Sequence, residues 1–149
     1  DEENHLNIFK WFYSIGVDEE KFRENVYMAA VCRCYPGKNP SGTGDRVPSD
    51  YEIKKCSKWL DYELNFLKPK LIIPVGKLAI SQFITFSKLN DVVGKKIKYQ
   101  LNGVNSDIVA LPHPSGLSTW YKKEPGKKLL KDALNIIKKS SSWKLIIKK

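Results

Sequence analysis

The sequence predicts an α/β fold, a three-layer α/β/α sandwich around a short parallel sheet, on three observations. Short apolar runs alternate with amphipathic helical stretches, each run is cut off by a Gly- or Pro-rich segment, and 149 residues make one domain of ordinary size, read as a single domain over 1–149. Hydrophobic residues make up 42% and charged residues 28%, and no apolar window nears the ~20 residues that a membrane span needs. A disordered chain and a transmembrane one are excluded on those grounds.

The elements follow in order. Leu6, Phe9, Phe12 and Ile15 recur every three positions, which predicts an amphipathic helix from Glu3 to Ile15, stopped by Gly16. A polar turn leads to the run Val26 to Cys32, rich in strand formers and short enough for a buried strand. The loop from Tyr35 to Pro48 holds three prolines and three glycines, so no regular element crosses it. Ser49-Asp50-Tyr51-Glu52 is a capping box, and Ile53, Cys56, Leu60, Leu64 and Leu67 follow at helical spacing until Lys68-Pro69. Leu71 to Val75 reads as a second buried strand that breaks at Gly76 into a helix from Lys77 to about Phe86. Between Val92 and Ser106 the pattern is short and polar, with a two-stranded excursion through Ile97 and Tyr99.

Asp107 to Leu111 is the third apolar strand, and it delivers the chain into the shaped loop Pro112-His113-Pro114-Ser115-Gly116-Leu117-Ser118. A last helix begins near Pro125 and runs through Leu130, Ala133, Leu134 and Ile137, while Trp143 to Lys149 reads as an edge strand or a tail. In parallel sheets ligands bind where the carboxyl ends of the strands open into loops. The loops Cys34 to Pro48, Gly76 and His113 to Ser118 all leave that edge.

The charge points to a polyanionic partner: 26 Lys and Arg against 16 Asp and Glu give +10. Lys38, Arg46, Lys122 and Lys123 flank the predicted edge, whereas Lys138, Lys139, Lys144, Lys148 and Lys149 come late and read as a solvated face. Gly76-Lys77 is a reasonable phosphate contact, because a helix start presents unpaired N–H groups and glycine permits close approach. Three cysteines are too few and too odd in number for a secreted disulfide framework, and these residues contain no signal-peptide pattern, which predicts an intracellular, cytoplasmic setting. Cys32, Cys34 and Cys56 are then core residues, redox thiols or metal ligands. The sequence begins at Asp1 and its only methionine is Met28, as expected of a processed or trimmed piece.

His113 sits between two prolines, which stiffen the backbone that carries it. On this alone it is either a surface-loop histidine or an imidazole held for chemistry, and Ser115 and Ser118 are either loop caps or phosphate contacts.

The segment Leu111-Pro112-His113-Pro114-Ser115-Gly116-Leu117-Ser118 resembles the second active-site motif of the uracil-DNA glycosylase superfamily, His-Pro-Ser-x-Leu-Ser in its best-known members. Arg33-Cys34-Tyr35-Pro36-Gly37, Val47-Pro48-Ser49 through Cys56-Ser57-Lys58-Trp59-Leu60, and Leu67 through Gly76 resemble, in order, its bacterial and archaeal branch related to the iron-sulfur enzymes. The resemblance spans Leu6 to Ile137. It implies hydrolysis of the N-glycosidic bond of a deaminated base, typically uracil, after the nucleotide is flipped from the DNA stack. It also implies that His113 donates a hydrogen bond to the departing base, Leu117 wedges into the duplex, and Ser115 and Ser118 hold phosphates. The expected partner is DNA containing deaminated bases, met by a monomer away from membranes.

The same resemblance makes Cys34 and Cys56 two of the four ligands of a [4Fe-4S] cluster, the other two lying in a preceding segment. For Cys56 the core and ligand readings both stand. The superfamily's first motif, a Gly-rich strand and loop carrying the water-activating group, is absent from these residues. Its strand is central in the family's sheet, between those matching Val26 to Cys32 and Leu71 to Val75, so either residues precede Asp1 or the strands pair differently. Ala30 stands where the uracil enzymes carry a base-reading Asn, which favours broader tolerance of deaminated bases. Two other readings compete: a non-catalytic DNA-binding member or inactive fragment, and an unrelated α/β phosphate-ester or nucleotide-binding module.

Overall fold

The computed structural model describes residues 2–31, 39–42, 46–115 and 118–149. They group into two compact units, residues 1–27 with 69–149, and residues 28–68.

The first unit opens with helix α1 (Glu2–Ser14), which buries Phe9 and Phe12 and ends at Gly16 with φ +97°. That left-handed conformation suits glycine. The stretch expected to be only a polar turn then forms a second helix, α2 (Glu19–Asn25). Asp18 starts it by accepting a hydrogen bond from the Lys21 amide at 2.8 Å, and Phe22 anchors it by stacking on Phe12 with ring centroids 4.7 Å apart. The expected buried strand beyond it is corrected: Val26 to Ala30 form no strand, and Tyr27 and Met28 are 59% and 51% exposed. A run of strand formers becomes a strand only where a neighbour takes its backbone groups, and no described strand pairs with this one. Cys32, at the end of the run, lies outside the described residues.

In the second unit, helix α3 (Asp50–Leu67) carries the expected capping box, with Ser49 and Glu52 bonded reciprocally. It closes at Lys68 in a left-handed conformation before Pro69. Cys56 is its buried residue, whereas Tyr51, Trp59, Tyr62 and Phe66 are exposed.

The sheet belongs to the first unit. Strand β1 (Leu71–Ile72) leads through Gly76 to helices α4 (Lys77–Ser81) and α5 (Leu89–Val92), then strands β2 (Ile97–Leu101) and β3 (Val104–Ile108). The sheet order is β1-β3-β2, with β1 and β3 parallel, Leu71 facing Asp107, and β2 antiparallel to β3. The parallel pair is the one expected; the hairpin makes the sheet mixed. Asn102 and Gly103 turn the hairpin with φ +50° and +82°, the two positive values that a tight two-residue turn requires. The helix expected to reach Phe86 stops at Ser81, and the backbone tightens into turns through Phe83.

Beyond Ile108 the parallel ladder continues as single rungs: Val109 donates to the Ile72 carbonyl, Leu111 to that of Pro74, and Gly76 to that of Leu111, at 2.9 to 3.1 Å. Val109, Ala110 and Leu111 are wholly buried, and helix α6 (Gly126–Lys139) lays Leu130, Ala133 and Ile137 into the same core. The final segment is helix α7 (Ser141–Lys148), correcting the expected strand or tail. Ser140 caps it, and Trp143, 1% exposed, donates its indole N–H to the Ile15 carbonyl at 3.0 Å. That anchor overrides the strand preference of Ile146 and Ile147. No helix among the described residues is long and apolar enough to cross a membrane.

Candidate active site

Because β1 and β3 run parallel, their carboxyl ends leave the sheet side by side. The last rung of the ladder, from Gly76 to Leu111, therefore sets Gly76 beside the loop that begins at Pro112. A Cβ added at Gly76 would stand 3.3 Å from His113 Cδ2, and the glycine already has φ +86°. Both facts explain why this position carries no side chain.

Pro112 and Pro114 are buried on either side of His113, whose own side chain is exposed. The backbone is thus fixed while the ring stays reachable. His113 Nδ1 accepts a hydrogen bond from the Ser115 amide at 3.1 Å. An acceptor at Nδ1 has no proton, so the neutral ring carries its proton on Nε2. Desolvation pushes the His113 pKa below its ordinary value, which keeps the ring neutral near pH 7. The product is an N–H donor, poised without a charge, at the carboxyl ends of two parallel strands.

The loop is held by groups that the sequence did not flag. The Asn7 side-chain amide donates to the Pro114 carbonyl at 2.9 Å, and the Tyr121 hydroxyl donates to the Ser115 carbonyl at 3.1 Å. Trp11, one helical turn after Asn7, meets the Tyr121 ring edge-on at 5.2 Å. Ser118 donates its amide to the Ser115 carbonyl at 3.1 Å.

The expected site residues divide between places. His113, Gly76, Ser115 and Ser118 come together in the first unit, with Lys77 exposed one residue beyond Gly76. Leu117, Cys34 and Lys38 lie outside the described residues. Arg46 lies in the second unit, where its two terminal nitrogens pair with both Glu52 oxygens at 2.8 and 3.0 Å. That pair, with the Ser49 hydrogen bonds, holds the Glu52 carboxyl down at about 2. Cys56 is buried in the second unit, and no group of three or more potential metal ligands occurs among the described residues. An iron-sulfur cluster takes four thiolates. Cys56 is the one cysteine among the described residues, and Cys32 and Cys34 lie outside them.

The sequence pattern of the Uracil DNA glycosylase superfamily matches residues 4–138, most of the chain. The chain belongs to that superfamily. The unrelated nucleotide-binding module is thereby excluded. The Type-4 uracil-DNA glycosylase of Archaeoglobus fulgidus is 30% identical over 101 residues, 64% of this chain and 47% of that protein. The Type-4 enzyme of Thermotoga maritima is 30% identical over 78% of this chain and 59% of its own length, and the Type-5 uracil-DNA glycosylase of Pyrobaculum aerophilum 27% identical over 75% and 50%. The chain thus spans about half the length of the curated relatives it matches.

Proposed function

We propose that this chain carries the leaving-group half of a DNA glycosylase site, hydrolysing the N-glycosidic bond of uracil or another deaminated base in DNA. The observation that carries the reading is the hydrogen bond from Ser115 N–H to His113 Nδ1, which leaves Nε2–H free to donate. As water adds to C1′ and the C1′–N bond breaks, the bonding electrons pass to the base, which departs as an anion, and the proton that the water sheds then neutralises it. A neutral donor suits that departure, because it stabilises the new charge without holding one beforehand. Such a preorganised donor contributes about 3 kcal/mol to the transition state. Flipping the nucleotide costs a few kcal/mol, and Leu117 is proposed to fill the vacated stack.

Ser115, Ser118, Gly76 and Lys77 are proposed phosphate contacts around the same loop. Arg46 would meet a phosphate only by sharing the fork that Glu52 occupies. Ala30, with no group to pair with an amide edge, supports tolerance of bases other than uracil.

The test is release of free base from oligonucleotides bearing uracil or hypoxanthine, by this chain and by His113→Ala. Release by the parent chain, cut about 100-fold in the variant at equal thermal stability, is the expected result. Salt-sensitive DNA binding with no release would instead identify a non-catalytic member.

A further inference from the structure

We propose that Asn7 and Tyr121 are positioning residues that act through the backbone to set the tautomer and aim of His113. The inference rests on the reading of His113 as the leaving-group donor, and extends it to two residues outside the motif. Its core is a property of one peptide unit. The Pro114 carbonyl and the Ser115 amide belong to the same planar group and point in opposite directions from it. Asn7 donates to the oxygen of that group at 2.9 Å, and its N–H donates to His113 Nδ1 at 3.1 Å. Side-chain amide, peptide plane and imidazole therefore form one continuous relay, in which each bond polarises the next.

The second clamp acts on the following peptide. Tyr121 donates to the Ser115 carbonyl at 3.1 Å, with the Pro114 carbonyl 3.5 Å from the same hydroxyl. Together with the Ser118 amide, which donates to the same oxygen, Tyr121 holds the Ser115 carbonyl and so limits rotation at the residue whose N–H meets Nδ1. The clamps are themselves held. Trp11 packs edge-on against the Tyr121 ring from the same helix that bears Asn7, four residues earlier. On the other side Trp120 donates its indole N–H to Asn90 at 2.9 Å.

A plane released at either point can turn, and the Ser115 N–H then leaves Nδ1. Without that donor the ring exchanges between its two neutral forms as a free imidazole does, and the Nε2–H donor is present for part of the time and variably aimed. The expected signature is a lower rate of base release with unchanged DNA affinity. A purely structural role would show instead as lost thermal stability.

The experiment is ¹⁵N NMR of the imidazoles in the full chain, in Asn7→Ala and in Tyr121→Phe, beside single-turnover release of uracil from an oligonucleotide. Only two histidines are present, and His113→Gln assigns their signals. In the parent chain the His113 shifts should show a protonated Nε2 and an unprotonated Nδ1. In each variant they should move toward the average of the two tautomers. Release should fall roughly 10-fold in each, with KM unchanged, and Asn7→Gln should recover part of it. In the His113→Gln background neither substitution should slow release further.

Parent-like imidazole shifts in both variants overturn the clamp, whether or not base is released. A tautomer that depends on Asn7 and Tyr121 in a chain that releases no base upholds the clamp and overturns the glycosylase reading alone. Tyr121→Phe removes a single oxygen, so the test does not depend on Asn7→Ala folding.

Discussion

His113 and Arg46 both sit in irregular segments that contain proline, yet they are restrained in opposite ways. Around His113 every strong contact falls on the backbone or on the rear nitrogen of the ring: the ladder ending at Gly76, the Asn7 and Tyr121 bonds to carbonyls, and the Ser115 amide on Nδ1. Its Nε2–H is left for something else. Around Arg46 the restraint falls on the head group, whose fork is matched to Glu52 at the start of α3. On the proposed reading, His113 is held from behind so that its ring stays reachable, whereas Arg46 is held by its head group.

The largest effect should come from removing the platform beneath the first. A Cβ at Gly126 would fall 2.0 Å from the Trp120 carbonyl oxygen, a backbone atom one residue from Tyr121. Gly126→Ala is expected to destabilise the chain by about 3 kcal/mol, read from chemical denaturation, and to disturb the loop with it. A variant with parent-like stability would show that the segment bearing Tyr121 is not fixed in place.

Gly76→Ala comes next. The substitution strains a backbone at φ +86° and presses a methyl toward His113 Cδ2. Base release should drop roughly 10- to 100-fold for about 1–2 kcal/mol of stability, a loss of function out of proportion to the loss of fold. Equal losses in both would erase the contrast between a working and a structural loop.

The smallest effect should be at Arg46. Glu52 has its folded pKa lowered from 4.5 to about 2. Its contribution to stability is therefore present above pH 4.5 and is lost as pH falls from there toward 2. In Arg46→Ala that acid-dependent loss should shrink, followed by the helical circular dichroism of the chain, while base release at neutral pH changes by less than about threefold. A large fall in release would put Arg46 on the DNA.

These contrasts also explain what could be read in advance. The capping box Ser49 to Glu52 was legible because all its partners lie within four residues. The loop around His113 was legible because the prolines on both sides of it exclude a regular element. The Asn7 contact joins residues 107 apart in sequence, and nothing in the local pattern around either marks it. Val26 to Ala30 failed for a related reason, since strand formation depends on a neighbour that local composition cannot supply. Asn102-Gly103 was a missed signal of a different kind: that pair between apolar residues is a strong hairpin marker, present in the sequence and sufficient to place β2 against β3. Helix α7 was obscured by its isoleucines, and only burial of Trp143 against Ile15 resolves it.

The pH dependence of single-turnover base release tests the central claim most directly. The competent form proposed for His113 is neutral, and desolvation lowers its pKa from 6.5. The rate should therefore be flat above pH 6.5 and fall only at more acid pH, where the ring gains a proton and where the unfolded chain, binding that proton more readily, is favoured over the folded one. His113→Ala should be slower throughout and lack that acid limb. A rate that rises as pH falls through 6.5, or one that His113→Ala leaves unchanged, would contradict the account.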